Sequence, residues 1–272
     1  MAMKKLAVLG HPVAHSRSPA MQTAALAELG LGGEWSYEAI DVAPDGFERL
    51  VRELPGRGFL GANVTVPHKG AALAVADTLT ETAREIGAAN TLSFEGDEIR
   101  AGNTDAGGLL AALPISPAGA RALVLGAGGA ARAVVWGLLR EGAAVEVWNR
   151  TPLRSDNLCE ELGGRTVEEP DTAAYDLIVN STAAGLHGED PFEELPLGPA
   201  AFVPGQVVVD MVYGHEPTAL LAAAGAAGAT TVDGIEVLVQ QGALSLRIWT
   251  GREAPIETMR AAARAADSLG DR

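Results

Sequence analysis

The sequence predicts two α/β domains followed by a helical C-terminal segment. Apolar runs of strand length alternate with helical patterns along most of the 272 residues. Two prolines interrupt a helical run near the middle of the chain, and no strand pattern follows Val232. The alternation indicates βαβ units and mainly parallel sheets.

Nine short apolar runs, bounded by turn-forming residues, are the predicted strands. They are Leu6–Leu9, Trp35–Ile40, Gly61–Val66, Thr91–Phe94, Ala122–Leu125, Ala144–Trp148, Leu177–Asn180, Val207–Asp210 and Thr230–Val232.

The domain boundaries follow from the same patterns. A break is expected near Leu113–Pro117, where Pro114 and Pro117 end a helical run before a fresh strand. We predict domains at residues 1–103 and 104–236, with residues 237–272 as a helical tail. Its helices, Ile235–Thr250 and Pro255–Leu269, have no strand between them, so we expect them to pack back on the first domain or the hinge.

Charge and composition exclude several classes of partner. The formal net charge is -15, which argues against nucleic acid or an anionic membrane as a ligand. The single Cys159 cannot form an intrachain disulfide, and no apolar run approaches the ~18 residues of a membrane helix. No acid or thiol joins His11 and His15 in a zinc-like spacing, so no metal is predicted. We expect a cytoplasmic monomer or homodimer.

A glycine-rich turn in the second domain predicts a dinucleotide site. The strand Ala122–Leu125 runs into Gly126–Ala131, and a helical pattern follows at Ala133–Arg140. This is G-x-G-x-x-A in the strand–turn–helix context that a Rossmann-type domain requires. A helix N-terminus can hold a pyrophosphate without a basic surface. The alternative is an ordinary tight turn between strand and helix.

The end of the next strand distinguishes NADP from NAD. An NAD site places an acid there to bind the ribose 2′-hydroxyl, whereas this chain has Asn149 followed by Arg150 and Arg154. Guanidinium groups can grip a 2′-phosphate, so the pattern favours NADP, although such arginines can also be simply solvated. Residues after two later strands, Thr182 and Met211, are further cofactor candidates. The alternatives are turn formation for Thr182 and packing for Met211.

In the first domain, Lys69 is the strongest catalytic candidate. It follows the predicted strand Gly61–Val66 and Pro67, where a helix can begin. A helix dipole disfavours a cation in the first helical turn, so the position suits acid–base chemistry better than structure. The alternative is an exposed lysine near a turn.

Two further clusters stand at expected helix starts. Ser18 precedes Pro19 and is a plausible N-cap, and the paired hydroxyls of Ser16 and Ser18 could also cradle a carboxylate. Asp105 opens an apolar helix, where it could cap that helix or pair with Lys69 across a substrate hydroxyl.

At this point the motifs together resemble the shikimate dehydrogenase family, in the family's order and over nearly the whole chain. The motifs are His15-Ser16-Arg17-Ser18-Pro19, Asn63-Val64-Thr65-Val66-Pro67-His68-Lys69, Ala88-Ala89-Asn90-Thr91, Asn103-Thr104-Asp105, Gly126-Ala127-Gly128-Gly129-Ala130 and Asn149-Arg150-Thr151.

The resemblance implies roles for individual residues. Lys69 would be the acid–base residue and Asp105 its partner. The residues implied to bind substrate are Ser16, Ser18, Thr65, Asn90, Tyr213 and Gln241, the last chosen over its neighbour by spacing from Gly234. Those implied to bind NADP are Glu81, Gly126, Ala127, Gly128, Gly129, Ala130, Asn149, Arg150, Thr151, Arg154, Thr182, Met211 and Gly234.

The resemblance implies a mixed sheet in the substrate domain and the reversible NADPH-dependent reduction of 3-dehydroshikimate to shikimate, a step of aromatic amino acid biosynthesis. Two alternatives stay open. One is a quinate or aminoshikimate dehydrogenase on the same fold, and the other is a non-catalytic NADP-binding regulator. Retention of both Lys69 and Asp105 argues against the regulator.

Overall fold

A computed structural model describes residues 3–186, 188–214 and 217–266 of the chain. In these residues the twelve strands are β1 Lys4–Gly10, β2 Trp35–Asp41, β3 Phe59–Val64, β4 Thr78–Leu79, β5 Thr91–Glu95, β6 Glu98–Gly102, β7 Arg121–Leu125, β8 Ala144–Trp148, β9 Arg165–Thr166, β10 Leu177–Asn180, β11 Val207–Asp210 and β12 Thr230–Val232.

Ten α-helices accompany them over the same described ranges. They are α1 Ser18–Glu28, α2 Phe47–Glu53, α3 Lys69–Val75, α4 Glu81–Ile86, α5 Asp105–Ala112, α6 Gly129–Arg140, α7 Pro152–Leu162, α8 Ala219–Ala226, α9 Gly234–Thr250 and α10 Ile256–Ala265.

The chain divides into two compact units, and the C-terminal segment belongs to the first. Unit 1 comprises Met1–Gly108 with Leu238–Arg272, and unit 2 comprises Leu109–Val237. The predicted boundaries are 103/104 and 236/237, whereas the two units divide at 108/109 and 237/238. Helix α5 ends at Ala112, before the prolines, and the first division lies within this helix because Leu109 is buried in the core of unit 2.

Unit 1 contains a mixed six-stranded sheet in the order β2-β1-β3-β5-β6-β4. The strand β1 is parallel to both of its neighbours, whereas β5 is antiparallel to β3 and to β6. The core on one face contains Leu9, Phe47, Leu54, Leu92 and Ile99, all nearly inaccessible. The mixed sheet in the first domain is therefore confirmed.

The C-terminal helices pack on unit 1, as predicted. Helix α10 packs against α1, and the indole Nε1 of Trp249 donates to the carbonyl of Leu92 at 3.0 Å. A Cβ on Gly61 would lie 2.1 Å from that Nε1, so β3 and α9 approach closely only because residue 61 is glycine. The predicted helix Pro255–Leu269 extends past residue 266, and its last residues lie outside the described part.

Unit 2 is an all-parallel sheet in the order β12-β11-β10-β7-β8-β9. Numbered within the unit, this is the 3-2-1-4-5-6 order of a dinucleotide-binding fold, read from the opposite edge. Its central strands β11, β10 and β7 are buried almost throughout and mostly apolar, as parallel strands between helical layers must be. The Rossmann-type prediction is confirmed.

All nine predicted strands are present, and three were missed. Two of these, β4 and β9, have two residues each and lie at sheet edges. The third, β6, forms a hairpin with β5 through Gly96 and Asp97, with Gly96 at a φ of 62°. Within the described ranges no helix is long and apolar enough to cross a membrane.

Candidate active site

The side chains of Lys69 and Asp105 form an ion pair in unit 1. The Nζ atom of Lys69 lies 2.6 Å from Oδ2 of Asp105, and the two side chains are 13% and 8% exposed. The predicted pairing is confirmed. An ammonium carries three N–H donors, so two remain for other acceptors. A buried, polarised donor of this kind can hold and protonate a substrate oxygen.

Local structure fixes the position of Lys69. The predicted strand ends at Val66 and the predicted helix begins at Pro67, but β3 ends at Val64 and α3 begins at Lys69 itself. The intervening His68 is buried, stacks on Phe47, and places Nε2 2.8 Å from the carbonyl of Val42. The carbonyl of Lys69 accepts from the backbone of Ala89 at 2.9 Å. The backbone of Lys69 is therefore tied to the segment that carries Asn90.

Asp105 is free to bind Lys69 because another residue caps its helix. The Oδ1 of Asn103 accepts from the backbone N–H of Asp105 at 2.9 Å, and its Nδ2 donates to the carbonyl of Ala88 at 2.9 Å. The capping that the sequence allowed for Asp105 is therefore supplied by Asn103. The Asp105 carboxylate has Lys69 on one oxygen and Asn90 Nδ2 on the other, at 2.8 Å.

Asn90 is the centre of the surrounding polar cluster. Its Nδ2 lies 3.1 Å from Oε1 of Gln241 and 2.9 Å from Oγ1 of Thr104, while its Oδ1 accepts from the backbone of Thr104 at 2.7 Å. The Nε2 of Gln241 donates to the carbonyl of Leu238 at 2.8 Å. Helix α9 thus brings Gln241 to Asn90, which itself binds Asp105. The choice of Gln241 over its neighbour as a substrate residue stays a prediction.

Below this cluster lies a layer of buried polar groups that the sequence analysis did not assign. Ser245, one turn after Gln241 and fully inaccessible, accepts from Nδ2 of Asn63 at 2.9 Å. Its hydroxyl is also 3.0 Å from that of Thr91 and 3.1 Å from that of Thr104. The Tyr37 hydroxyl donates to Oδ1 of Asn63 at 2.8 Å. Two signals in the sequence could have revealed these buried groups. Asn63 and Thr91 are polar residues within apolar strands, and Ser245 lies one helical turn after Gln241.

The serine pair stands at the start of α1, with one correction. Ser18 is the first residue of that helix and not its N-cap, which is Arg17. Instead the Oγ of Ser16 accepts from the backbone N–H of Ser18 at 3.3 Å. Proline is favoured in the first turn of a helix, so Pro19 is compatible with a helix that begins at Ser18. The side chain of the buried Arg17 donates from Nη1 to the carbonyl of Ala263 at 3.4 Å. Two hydroxyls therefore remain at a helix N-terminus.

Thr65 follows β3, and its backbone N–H donates to the carbonyl of Leu9 at 2.9 Å. A Cβ on Gly10 would lie 2.5 Å from the Thr65 methyl group, so the end of β1 is packed against this residue. Glu81, by contrast, is an exposed first residue of α4 in unit 1. Its assignment to the cofactor stays a prediction.

In unit 2 the glycine turn has the conformation that a pyrophosphate site needs. Gly126 has a φ of 109°, and a Cβ there would lie 2.9 Å from Oγ of Ser181. Gly128 is the N-cap of α6, and a Cβ there would meet no atom within 4 Å. The twelve-residue α6 therefore presents its N-terminal amides to open space, which fits a bound phosphate.

The arginine cluster stands beside that turn, on the end of β8 and the start of α7. The Nδ2 of Asn149 donates to the carbonyl of Thr151 at 2.9 Å, which shapes the turn into α7. Arg150 and Arg154 are both exposed, and Arg150 forms an ion pair with Glu194 at 2.6 Å. No acid stands at this strand end, so the residues present fit a 2′-phosphate.

A second buried network holds the ends of β10 and β11. The Nδ2 of Asn180 donates to Oδ1 of Asp210 at 2.9 Å, and the hydroxyl of Thr182 donates to Oδ1 of Asn180 at 2.7 Å. Burial raises the pKa of the Asp210 carboxyl, against hydrogen bonds from Thr218, Val212 and Asn180 that lower it. The network places Thr182 and the residue after Asp210, Met211, at the carboxyl edge of the sheet.

Gly234 and Tyr213 complete this edge. A Cβ on Gly234 would lie 2.7 Å from the carbonyl of Met211, so α9 can begin there only as glycine. Tyr213 is half-buried in unit 2, whereas the other predicted substrate residues belong to unit 1. Among the described residues no group of three or more His, Cys, Asp or Glu side chains could hold a metal ion.

Comparison with known proteins gives matches to segments of both units. Residues 8–92 match the shikimate dehydrogenase substrate binding domain, residues 111–187 the shikimate / quinate 5-dehydrogenase family, and residues 234–264 the shikimate 5'-dehydrogenase C-terminal domain. The chain is 42% identical to shikimate dehydrogenase (NADP(+)) of Methanopyrus kandleri, covering 94% of this chain and 93% of that one. It is 43% identical to the enzyme of the same name from Acidiphilium cryptum, covering 97% and 96%.

A solved structure agrees over the same length. Shikimate 5-dehydrogenase from Thermus thermophilus, crystallised in complex with NADP(H) and shikimate, superposes with a TM-score of 0.89 at 43% identity. The match covers 97% of this chain and 100% of that one.

Proposed function

The chain belongs to the shikimate dehydrogenase family, and on that premise we propose that Lys69 and Asp105 catalyse the NADPH-dependent reduction of 3-dehydroshikimate to shikimate. The single observation that carries the proposal is the buried 2.6 Å pair of Lys69 and Asp105, joined to Asn90 and Gln241. A lysine held in this way is placed for chemistry on an oxygen and not for solvation of the surface.

Unit 1 binds and orients the substrate in this proposal. The hydroxyls of Ser16 and Ser18, at the N-terminus of α1, receive the carboxylate. That arrangement lets a chain with a net charge of -15 hold an anion without a basic surface. Thr65, Asn90 and Gln241 bind the ring hydroxyls. The assignment of Tyr213 to the substrate stays a prediction from the family resemblance.

Unit 2 holds the cofactor. The turn Gly126–Ala130 and the amides of α6 bind the pyrophosphate, and Asn149, Arg150, Thr151 and Arg154 bind the 2′-phosphate. Thr182, Met211 and Gly234 stand at the sheet edge where the nicotinamide end is expected. The chemistry that NADPH supplies when bound is transfer of a hydride to the ketone carbon.

The residues of the chain move the proton. As the carbonyl oxygen gains negative charge, the Lys69 ammonium stabilises it and donates one proton to give the hydroxyl. Asp105 holds the Lys69 ammonium in place and balances its positive charge before the reaction. The ammonium therefore needs little reorganisation when negative charge develops on the substrate oxygen. Lys69 then regains a proton from solvent, and the reverse sequence oxidises shikimate.

Quinate is a second candidate substrate, because the family model over residues 111–187 covers shikimate and quinate enzymes together. Initial rates of the purified protein with shikimate, quinate and aminoshikimate, each with NADP+ and NAD+, separate the candidates. We expect the highest kcat/KM for shikimate with NADP+. A higher kcat/KM for quinate would identify quinate as the preferred substrate. No turnover in any of the six mixtures would favour the non-catalytic NADP-binding regulator.

A further inference from the structure

Glu194, which forms an exposed ion pair with Arg150 in unit 2, has no part in the function proposed so far. Nη1 of Arg150 lies 2.6 Å from Oε2 of Glu194, and the two side chains are 75% and 41% exposed. Arg150 is also one of the two arginines assigned above to the 2′-phosphate. The carboxylate of Glu194 thus contacts the guanidinium that is proposed to bind the 2′-phosphate of the cofactor.

The backbone around Glu194 places that carboxylate. Residues Pro191–Glu193 form a single helical turn, which Asp190 caps by accepting from the backbone of Phe192 at 3.0 Å. The N–H of Glu194 donates to the carbonyl of Pro191 at 3.1 Å, and the adjacent Leu195 is 8% exposed within the core of unit 2. Glu194 therefore projects from an anchored turn.

The second arginine of the site differs from the first. Across residues 3–186, 188–214 and 217–266, Arg154 forms no ion pair, whereas Arg150 is already bound to an anion. A guanidinium has five N–H donors, and Glu194 accepts from Nη1 of Arg150. A phosphate that binds Arg150 must displace Glu194 or accept a like charge beside it.

From this geometry we propose that Glu194 is a specificity-determining residue that competes with the 2′-phosphate for Arg150 and so limits the preference for NADP over NAD. The proposal rests on the function proposed above, in which Arg150 contacts the phosphate. The penalty falls on NADP alone, since NAD carries no 2′-phosphate. Removal of the negative charge of Glu194 should therefore tighten NADP and leave NAD unchanged.

The test is equilibrium binding, which does not depend on turnover. Dissociation constants for NADP+ and NAD+ are measured by calorimetry for the wild type, Glu194→Gln, and the matched control Glu193→Gln. The control removes the same charge from the neighbouring residue, which forms no ion pair with Arg150. We expect Glu194→Gln to lower the Kd for NADP+ by about two- to five-fold, the range for an exposed ion pair, with no change for NAD+ or in the control.

Two further measurements identify the cause. In an Arg150→Gln background, Glu194→Gln should no longer tighten NADP+, because the competition acts through Arg150. At high salt the gain should shrink, since exposed charges are screened.

Several results would overturn the proposal. They are an unchanged or weaker NADP+ affinity in Glu194→Gln, an equal gain in Glu193→Gln, and a gain that persists without Arg150. A failure of the proposed function shows separately, in the wild type, as no preference for NADP+ over NAD+ and no oxidation of shikimate. In that case no phosphate competes at Arg150 and the proposal falls too, whereas a normal wild type with an insensitive Glu194 refutes the proposal alone.

Discussion

Replacement of Lys69 by methionine separates the catalytic role of this residue from its structural role. Methionine keeps an unbranched side chain and removes the charge and the donors. General acid–base catalysis typically contributes ~10²- to 10⁴-fold to the rate, so kcat should fall by about that factor while KM changes little. Such a pattern indicates an interaction that is made in the transition state.

The same change has a predictable cost in stability. Asp105, 8% exposed, would keep its hydrogen bond from Asn90 but lose the cation at 2.6 Å. Removing one partner of a buried ion pair costs about 3–5 kcal/mol, and the surviving hydrogen bond puts this case near 3 kcal/mol. Urea-induced unfolding followed by circular dichroism measures the difference.

A double variant, Lys69→Met with Asp105→Asn, gives the control. Neutralising Asp105 removes the uncompensated charge, so much of the lost stability should return while kcat stays low. Two results would refute the reasoning. One is an unchanged kcat in Lys69→Met, and the other is a kcat that recovers together with stability in the double variant.

Three further predictions concern other parts of the chain. Arg150→Asp should weaken NADPH binding at least tenfold more than NADH binding in fluorescence titrations, because it places a carboxylate where the 2′-phosphate binds, and equal losses would remove the basis for the NADP assignment. Gly61→Ala should lower the free energy of unfolding by about 1–3 kcal/mol, because the added methyl group overpacks against Trp249. The control Gly70→Ala, where a Cβ meets nothing within 4 Å, should be neutral or stabilising. Similar losses of stability in both variants would contradict the close packing at Gly61. Because burial raises the pKa of the Cys159 thiol, iodoacetamide at neutral pH should alkylate the native chain roughly tenfold more slowly than the urea-unfolded chain, and equal rates would argue that the thiol is not protected.

The central strands β7, β10 and β11 of unit 2 could be predicted because each is a buried, largely apolar run with a distinct start and end. The missed strand β6 reads Glu-Ile-Arg-Ala-Gly, in which exposed Glu98 and Arg100 alternate with buried apolar residues, so it lacks a continuous apolar run. The Gly96-Asp97 dipeptide before it is the local signal in the sequence that indicates a hairpin. The strands β4 and β9 are too short for any periodicity to reveal them.

Site residues could be predicted where a side chain is chemically unusual for its place in the secondary structure. Residues whose role depends on contacts with distant segments could not. Lys69 at a helix start attracts attention in the sequence alone, and Asp105 was a reasonable partner. Nothing local reveals that Ser245, on a helix of the C-terminal segment, would reach Asn63 on β3 at 2.9 Å. The position of Ser18 inside α1, and the cap that Asn103 gives to α5, likewise depend on how neighbouring segments pack.

We expect this chain to reduce a ring ketone at the expense of NADPH, with Lys69 as the proton donor. The most direct test mixes purified protein with 3-dehydroshikimate and NADPH, follows the near-ultraviolet absorbance of NADPH, and identifies the product by chromatography. We predict stoichiometric formation of shikimate and NADP+ by the wild type, and a rate at least a hundredfold lower for Lys69→Met. Loss of NADPH without shikimate, or equal rates for the two proteins, would contradict the account.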